Sequence, residues 1–292
     1  MAKQRRLNLT IVVLLAAVAG CSRSIDDPKP VMSTVETIRT GFASATDGSS
    51  SGTATVAEPT GYATLRGTFK YAGDLPTPAP LQIIKDATVC APGGKSVVDQ
   101  NLVVDSATKG IANVLIYVDK VPEEWVHEGA KEDTSEVVFD QKECVFLTRM
   151  VAIQTSQSLR VLNSDPVGHN LMVAGFNQTV PSGGESIYKP LKQLRTPEKM
   201  ACAVHPWMTA WFINRDNGYF AVTAEDGSFE IPNLPAGVEL DFRVWQEKSG
   251  PISQVALDGQ PTKWSKGKMS ITLEPNEVRE LDVIVDASVF NK

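Results

Sequence analysis

Seven consecutive residues, Cys202-Ala203-Val204-His205-Pro206-Trp207-Met208, put a thiolate, an imidazole and a thioether into one short loop. Upstream, Asn163-Ser164-Asp165-Pro166-Val167-Gly168-His169-Asn170 brings a second imidazole. A loop of this C-x2-H-x2-M form folds back so that its three side chains converge, but a fourth group from the same short segment would strain the backbone. That fourth group must come from the end of another strand. His169 follows the strand-like run Ser158-Leu159-Arg160-Val161-Leu162-Asn163, so any fold that uses all four groups has to bring those two strand ends together. Soft sulfur favours Cu(I), two imidazoles also hold Cu(II), and a long axial thioether tunes the balance between them. His169, Cys202, His205 and Met208 are therefore a complete ligand list for one mononuclear blue-copper centre.

The motif resembles the cupredoxin family, and the amicyanin-type ligand loop C-x-x-H-P-[aromatic]-M is similar to residues 202–208. The resemblance extends to His169-Asn170 and is most specific over residues 137–216. It implies His169, Cys202 and His205 as equatorial ligands and Met208 as the axial one. It further implies that Asn170 ties the two ligand loops together by hydrogen bonds, and that Pro206 and Trp207 shape the apolar surround that limits water access. His205 is expected near the domain surface, where it offers the electron path to a partner. The alternatives are a cupredoxin-shaped domain that has lost its metal, or one that takes zinc through Cys and His. The chain's third histidine, His127, matches no part of the motif and reads as a solvated loop residue.

At the amino terminus Lys3, Arg5 and Arg6 precede the apolar run Leu9 to Val18, and Val18-Ala19-Gly20-Cys21 follows. This pattern, residues 1–21, is that of a secretory leader ending in a bacterial lipobox. The apolar run is well short of the roughly 20 residues that span a bilayer. Cys21 is accordingly expected to carry lipid, which gives stable anchoring when more than one acyl chain is attached. Asn8 sits where a twin-arginine signal wants an apolar residue, and Ser22 rather than Asp points toward the outer membrane. The expected location is outside the inner membrane, tethered in the periplasm or at the cell surface. With Cys21 assigned to lipid and Cys202 to metal, Cys90 and Cys144 remain in an oxidising compartment and form a natural disulfide pair, two buried thiols being the alternative.

Without the leader's three basic residues the chain carries 25 Lys and Arg against 34 Asp and Glu, about −9. Such an acidic surface argues against nucleic acid and against anionic lipid as partners, and it suits a redox partner protein with a basic docking patch.

Residues 22–60 run through Asp26-Asp27-Pro28-Lys29-Pro30 and Thr46-Asp47-Gly48-Ser49-Ser50-Ser51-Gly52-Thr53. This composition buries too little apolar surface to fold and reads as a tether, with a helical turn or two over Val35–Phe42. From Tyr62 onward short alternating runs broken by Gly, Pro and Asp predict an all-β chain. Expected strands are 63–71, 112–118, 136–147, 151–155, 158–162, 170–173, 199–204 and 210–214, with a short helix within 184–194. Further on, Tyr219-Phe220-Ala221-Val222-Thr223 and Ser228-Phe229-Glu230-Ile231 flank Ala224-Glu225-Asp226-Gly227, a hairpin signal. Strands 240–245, 269–273 and 280–285 follow. The run V-T-x-x-D-G-x-F-x-I-P-x-L-P-A-G resembles a transthyretin-like or carboxypeptidase-regulatory β-sandwich, and the pair of domains is similar to large secreted proteins common in planctomycete-like bacteria. Asp226 is one acidic residue, far short of a calcium ligand set, so turn chemistry explains it. The expected fold is a Greek-key cupredoxin-like sandwich over 61–216, with its core at 137–216, then a regulatory-like sandwich over 217–292. Alternatively, strands from 61–120 complete that second sandwich and the first is inserted into it.

The function read from these residues is outer-sphere electron transfer by a membrane-tethered type 1 copper protein. A multicopper oxidase needs His-x-His clusters that three histidines cannot supply, and a binuclear copper site needs two cysteines in its ligand loop. The chain has no G-x-S-x-G, no H-E-x-x-H and no convincing paired-carboxylate constellation. The chain is therefore expected not to be an enzyme. Two other readings stay open: a copper carrier or sensor, and a cell-surface binding or structural module whose sugar platform would use Trp245 and Trp264.

Overall fold

The computed structural model describes residues 57–291; the expectations for residues 1–21, for Cys21 and for the helical turn at 35–42 lie outside them. The described part is almost wholly β, in four sheets. In one, β1 (Gly61–Ala72) lies between β13 (Ser228–Ala236) and β19 (Val278–Asp286), followed by β16 (Gln254–Leu257) and β17 (Gln260–Lys263). In a second, β2 (Leu115–Val118) lies between β12 (Phe220–Val222) and β14 (Glu239–Gln246), and β14 also pairs with β15 (Gly250–Pro251) and β18 (Lys268–Thr272). A third runs β5 (Met150–Gln154), β11 (Thr209–Arg215), β10 (Glu198–Ala201), β7 (His169–Val173), β8 (Phe176–Val180). The fourth runs β4 (Val145–Phe146), β3 (Glu136–Lys142), β6 (Ser158–Asn163), β9 (Glu185–Tyr188).

Alternation explains most of these strands. β1, β6 and β14 bury every second residue, as strands do when one face meets a core and the other meets solvent. Leu65, Phe69, Ile116, Phe242 and Val283 fill one core, and Phe139, Phe146, Leu159, Val161, Leu171 and Phe212 fill another.

β2 is the exception, because all four of its residues are buried. Ile116 and Val118 enter the first core, while Leu115 and Tyr117 pack with Met150 and Ile213 of the other sandwich. A strand covered on both faces reads as a continuous apolar run. The seam beside it is closed by Arg215, which is buried, donates to the carbonyls of Val118, Asp119 and Leu194, and lies over the Tyr117 ring. Arg149 and Glu247 form an ion pair between the two sandwiches.

The strand pairings differ from a division at residue 216. β1 runs antiparallel to β13 and parallel to β19, and β2 pairs with both β12 and β14, so residues 61–118 share their sheets with residues 220–286. Residues 136–215 form the other two sheets within that frame. The local cause is edge satisfaction: without β1 and β2, the strands β13, β19, β12 and β14 would face each other across unpaired edges.

Two local expectations are corrected. The helix expected within 184–194 is instead β9, whose Ser186 and Tyr188 pair with β6, and Pro190 keeps a helix from running on through it. The Asp-Gly turn forms, with Gly227 N donating to Ala224 O and Ala224 N to Ser228 O. Its flanking strands then part, β12 to β2 and β13 to β1, so the turn is a corner between sheets and not a hairpin. Gly110 packs flat on this corner, where a Cβ would sit 2.0 Å from the Asp226 carbonyl carbon. Asp226 accepts from Ser228 N and Oγ, which is turn chemistry.

Candidate metal centre

β7 begins at His169, β10 ends one residue before Cys202, and β11 begins one residue after Met208. β10 pairs with β11 and, at Ala201 opposite Met172, with β7. This pairing puts the strand end that carries His169 beside the one that leads into Cys202. The loop folds back through Met208 N donating to His205 O at 2.9 Å and Cys202 N to Met208 O at 3.2 Å. Asn170 joins the loops: its N–H points at Cys202 Sγ at 3.5 Å, its Oδ1 accepts from Ala203 N at 2.6 Å, and its Nδ2 donates to Asn177.

The structure brings His169, Cys202 and His205 together, with one ring nitrogen of each histidine and the Cys202 sulfur all within 4.8 Å of one another. All three are buried, and Met208 is buried in the same core. The two rings meet edge to face, Nδ1 to Nδ1 at 2.8 Å. On the outer side, His169 Nε2 lies 2.7 Å from Asp165 Oδ2 and His205 Nε2 lies 2.9 Å from Asp86 Oδ2. Asp165 also accepts from Glu143 N and Cys144 N, which fixes it in place.

The donor set can be tested against a metal on this geometry. A carboxylate only accepts, so the tautomer that satisfies Asp165 and Asp86 puts each ring's proton on Nε2 and turns a bare Nδ1 lone pair inward. Two lone pairs facing each other at 2.8 Å in a buried site repel unless a proton or a metal cation lies between them. Burial holds the His169 pKa below its usual value against the opposing hydrogen bond from Asp165, and His205 adds to the lowering, all of which favours the neutral ring. A neutral imidazole beside a sulfur and a second imidazole fits a soft-to-borderline cation such as copper.

Two expectations about the surround change. His205 is 0 % exposed, not a surface ligand. The segment ahead of Cys90 covers it: Asp86 reaches its Nε2, and the Cys90–Cys144 disulfide brings both sulfurs within 4.8 Å of a His205 ring nitrogen. Pro206 is exposed, whereas Trp207 is half-buried, packs on the His205 ring at 5.1 Å between centroids and donates from Nε1 to Cys144 O. Water access is therefore limited by Trp207 and the disulfide-bound segment more than by Pro206.

Sequence reasoning missed Asp86 and Asp165 as partners of His205 and His169. Asp165, four residues before His169, could have been noticed from its spacing. Asp86 lies 119 residues from His205, and no local pattern links them. His127 caps the turn Glu128–Lys131 by accepting from Gly129 N and meets the Tyr62 ring edge. Trp264 is buried and Trp245 packs at a tilt against Trp211, 4.7 Å between ring centroids, so neither forms an open platform for a sugar.

No family model and no curated protein matches the chain. Solved structures that resemble part of it include amicyanin from Paracoccus versutus, 18% identical over 34% of this chain and 97% of that one, with a TM-score of 0.25. A Cu(I) amicyanin mutant is 11% identical over 34% and 98% of the two chains, with a TM-score of 0.25. A reduced amicyanin mutant is 15% identical over 35% and 99%, also at 0.25. At this level each likeness records only what about a third of the chain is similar to.

Proposed function

We propose that this chain holds one copper ion through His169, Cys202, His205 and Met208 and passes single electrons to a partner protein, without catalysing a reaction itself. The observation that carries the reading is the pair of inward Nδ1 atoms, 2.8 Å apart and beside Cys202, with both outer nitrogens held by carboxylates. Bound copper supplies a one-electron Cu(II)/Cu(I) couple. The chain's own part is to hold the ligands in place before and after the electron moves. Asn170 clamps the two loops, its N–H steadies the Cys202 sulfur, and the buried rings have no freedom to turn. Trp207 and the segment ahead of Cys90 keep water from the site and slow metal exchange, which favours electron transfer over a carrier or sensor role. The half-buried Trp207 with exposed Pro206 is the surface beside the His205 ring and the proposed docking face. The lipidated leader would tether the protein outside the inner membrane, and the acidic surface would meet a basic partner.

The test is to express residues 22–292 with the disulfide formed, add Cu(II), and record visible absorption and electron paramagnetic resonance. An intense thiolate-to-copper band that disappears in Cys202→Ser is expected, with a reversible redox wave. A colourless protein, or an unchanged band in the serine variant, sinks the assignment.

A further inference from the structure

Residues 81–99 form a strap that is closed at its base and pinned at its tip. At the base Leu81 N donates to Val97 O, Asp99 N to Ala79 O, and Pro80 bridges Val98. At the tip Cys90 is joined to Cys144, and Lys95 pairs with Glu143. Asp86 precedes the single turn Ala87–Cys90, a position where an aspartate ordinarily caps the turn's free N–H groups. It makes no such cap. Its backbone sits instead at φ 48, a left-handed conformation that costs a non-glycine residue on the order of 1 kcal/mol, and its carboxylate turns to His205 Nε2.

From this we infer that Asp86 is a positioning residue for the metal centre: through the hydrogen bond to Nε2 it fixes the His205 tautomer and ring angle with Nδ1 bare and inward, and its negative charge favours the more highly charged state of a bound metal. The inference rests on the copper reading above. Asp165 does the same for His169 from the opposite side, so each imidazole is held between a carboxylate and the site. Such outer partners of ligating histidines raise ligand basicity and fix orientation. The Cys90–Cys144 link matters because it holds Asp86, 119 residues from His205 in sequence, on the outer face of the ring.

The experiment compares Asp86→Ala and Asp86→Asn in the chain from residue 22. Before metal is added, long-range ¹⁵N–¹H spectra of His205 read its tautomer. The wild type and Asp86→Asn, whose amide oxygen still accepts, are expected to hold the proton on Nε2, and Asp86→Ala to release it into a mixture. With copper, Asp86→Ala is expected to lose affinity by about 10- to 100-fold. Asp86→Asn is expected to recover most of that affinity yet shift the midpoint potential upward, by about 59 mV for each tenfold fall in Cu(II) over Cu(I) preference. An unchanged His205 tautomer in Asp86→Ala overturns the inference, as does an unchanged potential in Asp86→Asn with copper bound. If the wild type binds no copper, the function proposed above fails, while the metal-free spectra still decide whether Asp86 sets the His205 proton.

Discussion

Removing the Cys90–Cys144 disulfide with Cys90→Ala/Cys144→Ala should be felt both as lost stability and as a loosened surround of His205. The bond closes a loop of separation 54, and on the chain-entropy account a closure of that length stabilises the fold by about 4 kcal/mol. Both cysteines are buried, so the small cavities left by alanine add to the loss. In urea, with a denaturant slope of roughly 2–3 kcal/mol per molar, the midpoint should fall by about 1.5–2 M. Tryptophan fluorescence is the natural probe, since one of the five indoles, that of Trp207, bonds to Cys144 O. The strap that carries Asp86 would keep its base pairs but lose its tip. The His205 tautomer should then spread in the double variant as it does in Asp86→Ala, even under conditions where the fold is intact. A midpoint within about 0.3 M of the wild type would refute the loop-closure reasoning. A stability loss with an unmoved tautomer would show that the disulfide does not position Asp86.

Two further outcomes concern the seam between the sandwiches. Arg215→Ala strips three backbone carbonyls, of Val118, Asp119 and Leu194, of their buried charged donor, and should cost about 3–5 kcal/mol in thermal or urea unfolding; a loss under 1 kcal/mol would mean that water satisfies them. Burial raises the Glu247 carboxyl above its usual pKa in spite of the opposing Arg149, and Asp99 adds slightly to the rise. The folded state therefore binds more protons than the unfolded chain, so this residue's contribution to stability falls as pH rises from the ordinary value near 4.3 through the raised one. In Glu247→Gln that part of the pH dependence should vanish, as read from unfolding midpoints across pH 4–8; parallel curves for the two proteins would refute it.

The candidate ligand set was legible in the chain because its chemistry is local. Cys202, His205 and Met208 share one loop between β10 and β11, and His169 was legible from its own His-Asn motif, although the pairing of β7 with β10 that brings it to them is a tertiary contact. The all-β class was legible for the same reason, since alternation at period two is written residue by residue. The cysteine pairing could be reached by elimination. What the chain could not disclose depends on contacts between residues far apart in sequence. β9 looked helical because its pairing with β6, which decides its conformation, is not a local property. The Asp-Gly turn specified a reversal but not which sheet each arm would enter, and that was settled by the edges that β1 and β2 offered. His205 looked like a surface ligand because nothing near it in sequence covers it. The strap that buries it arrives from 119 residues away, held by a disulfide, and the carboxylate that orients its ring comes with it. Local chemistry thus set which atoms meet at the site, while packing between distant segments set how far from water they meet and which charges face them from behind.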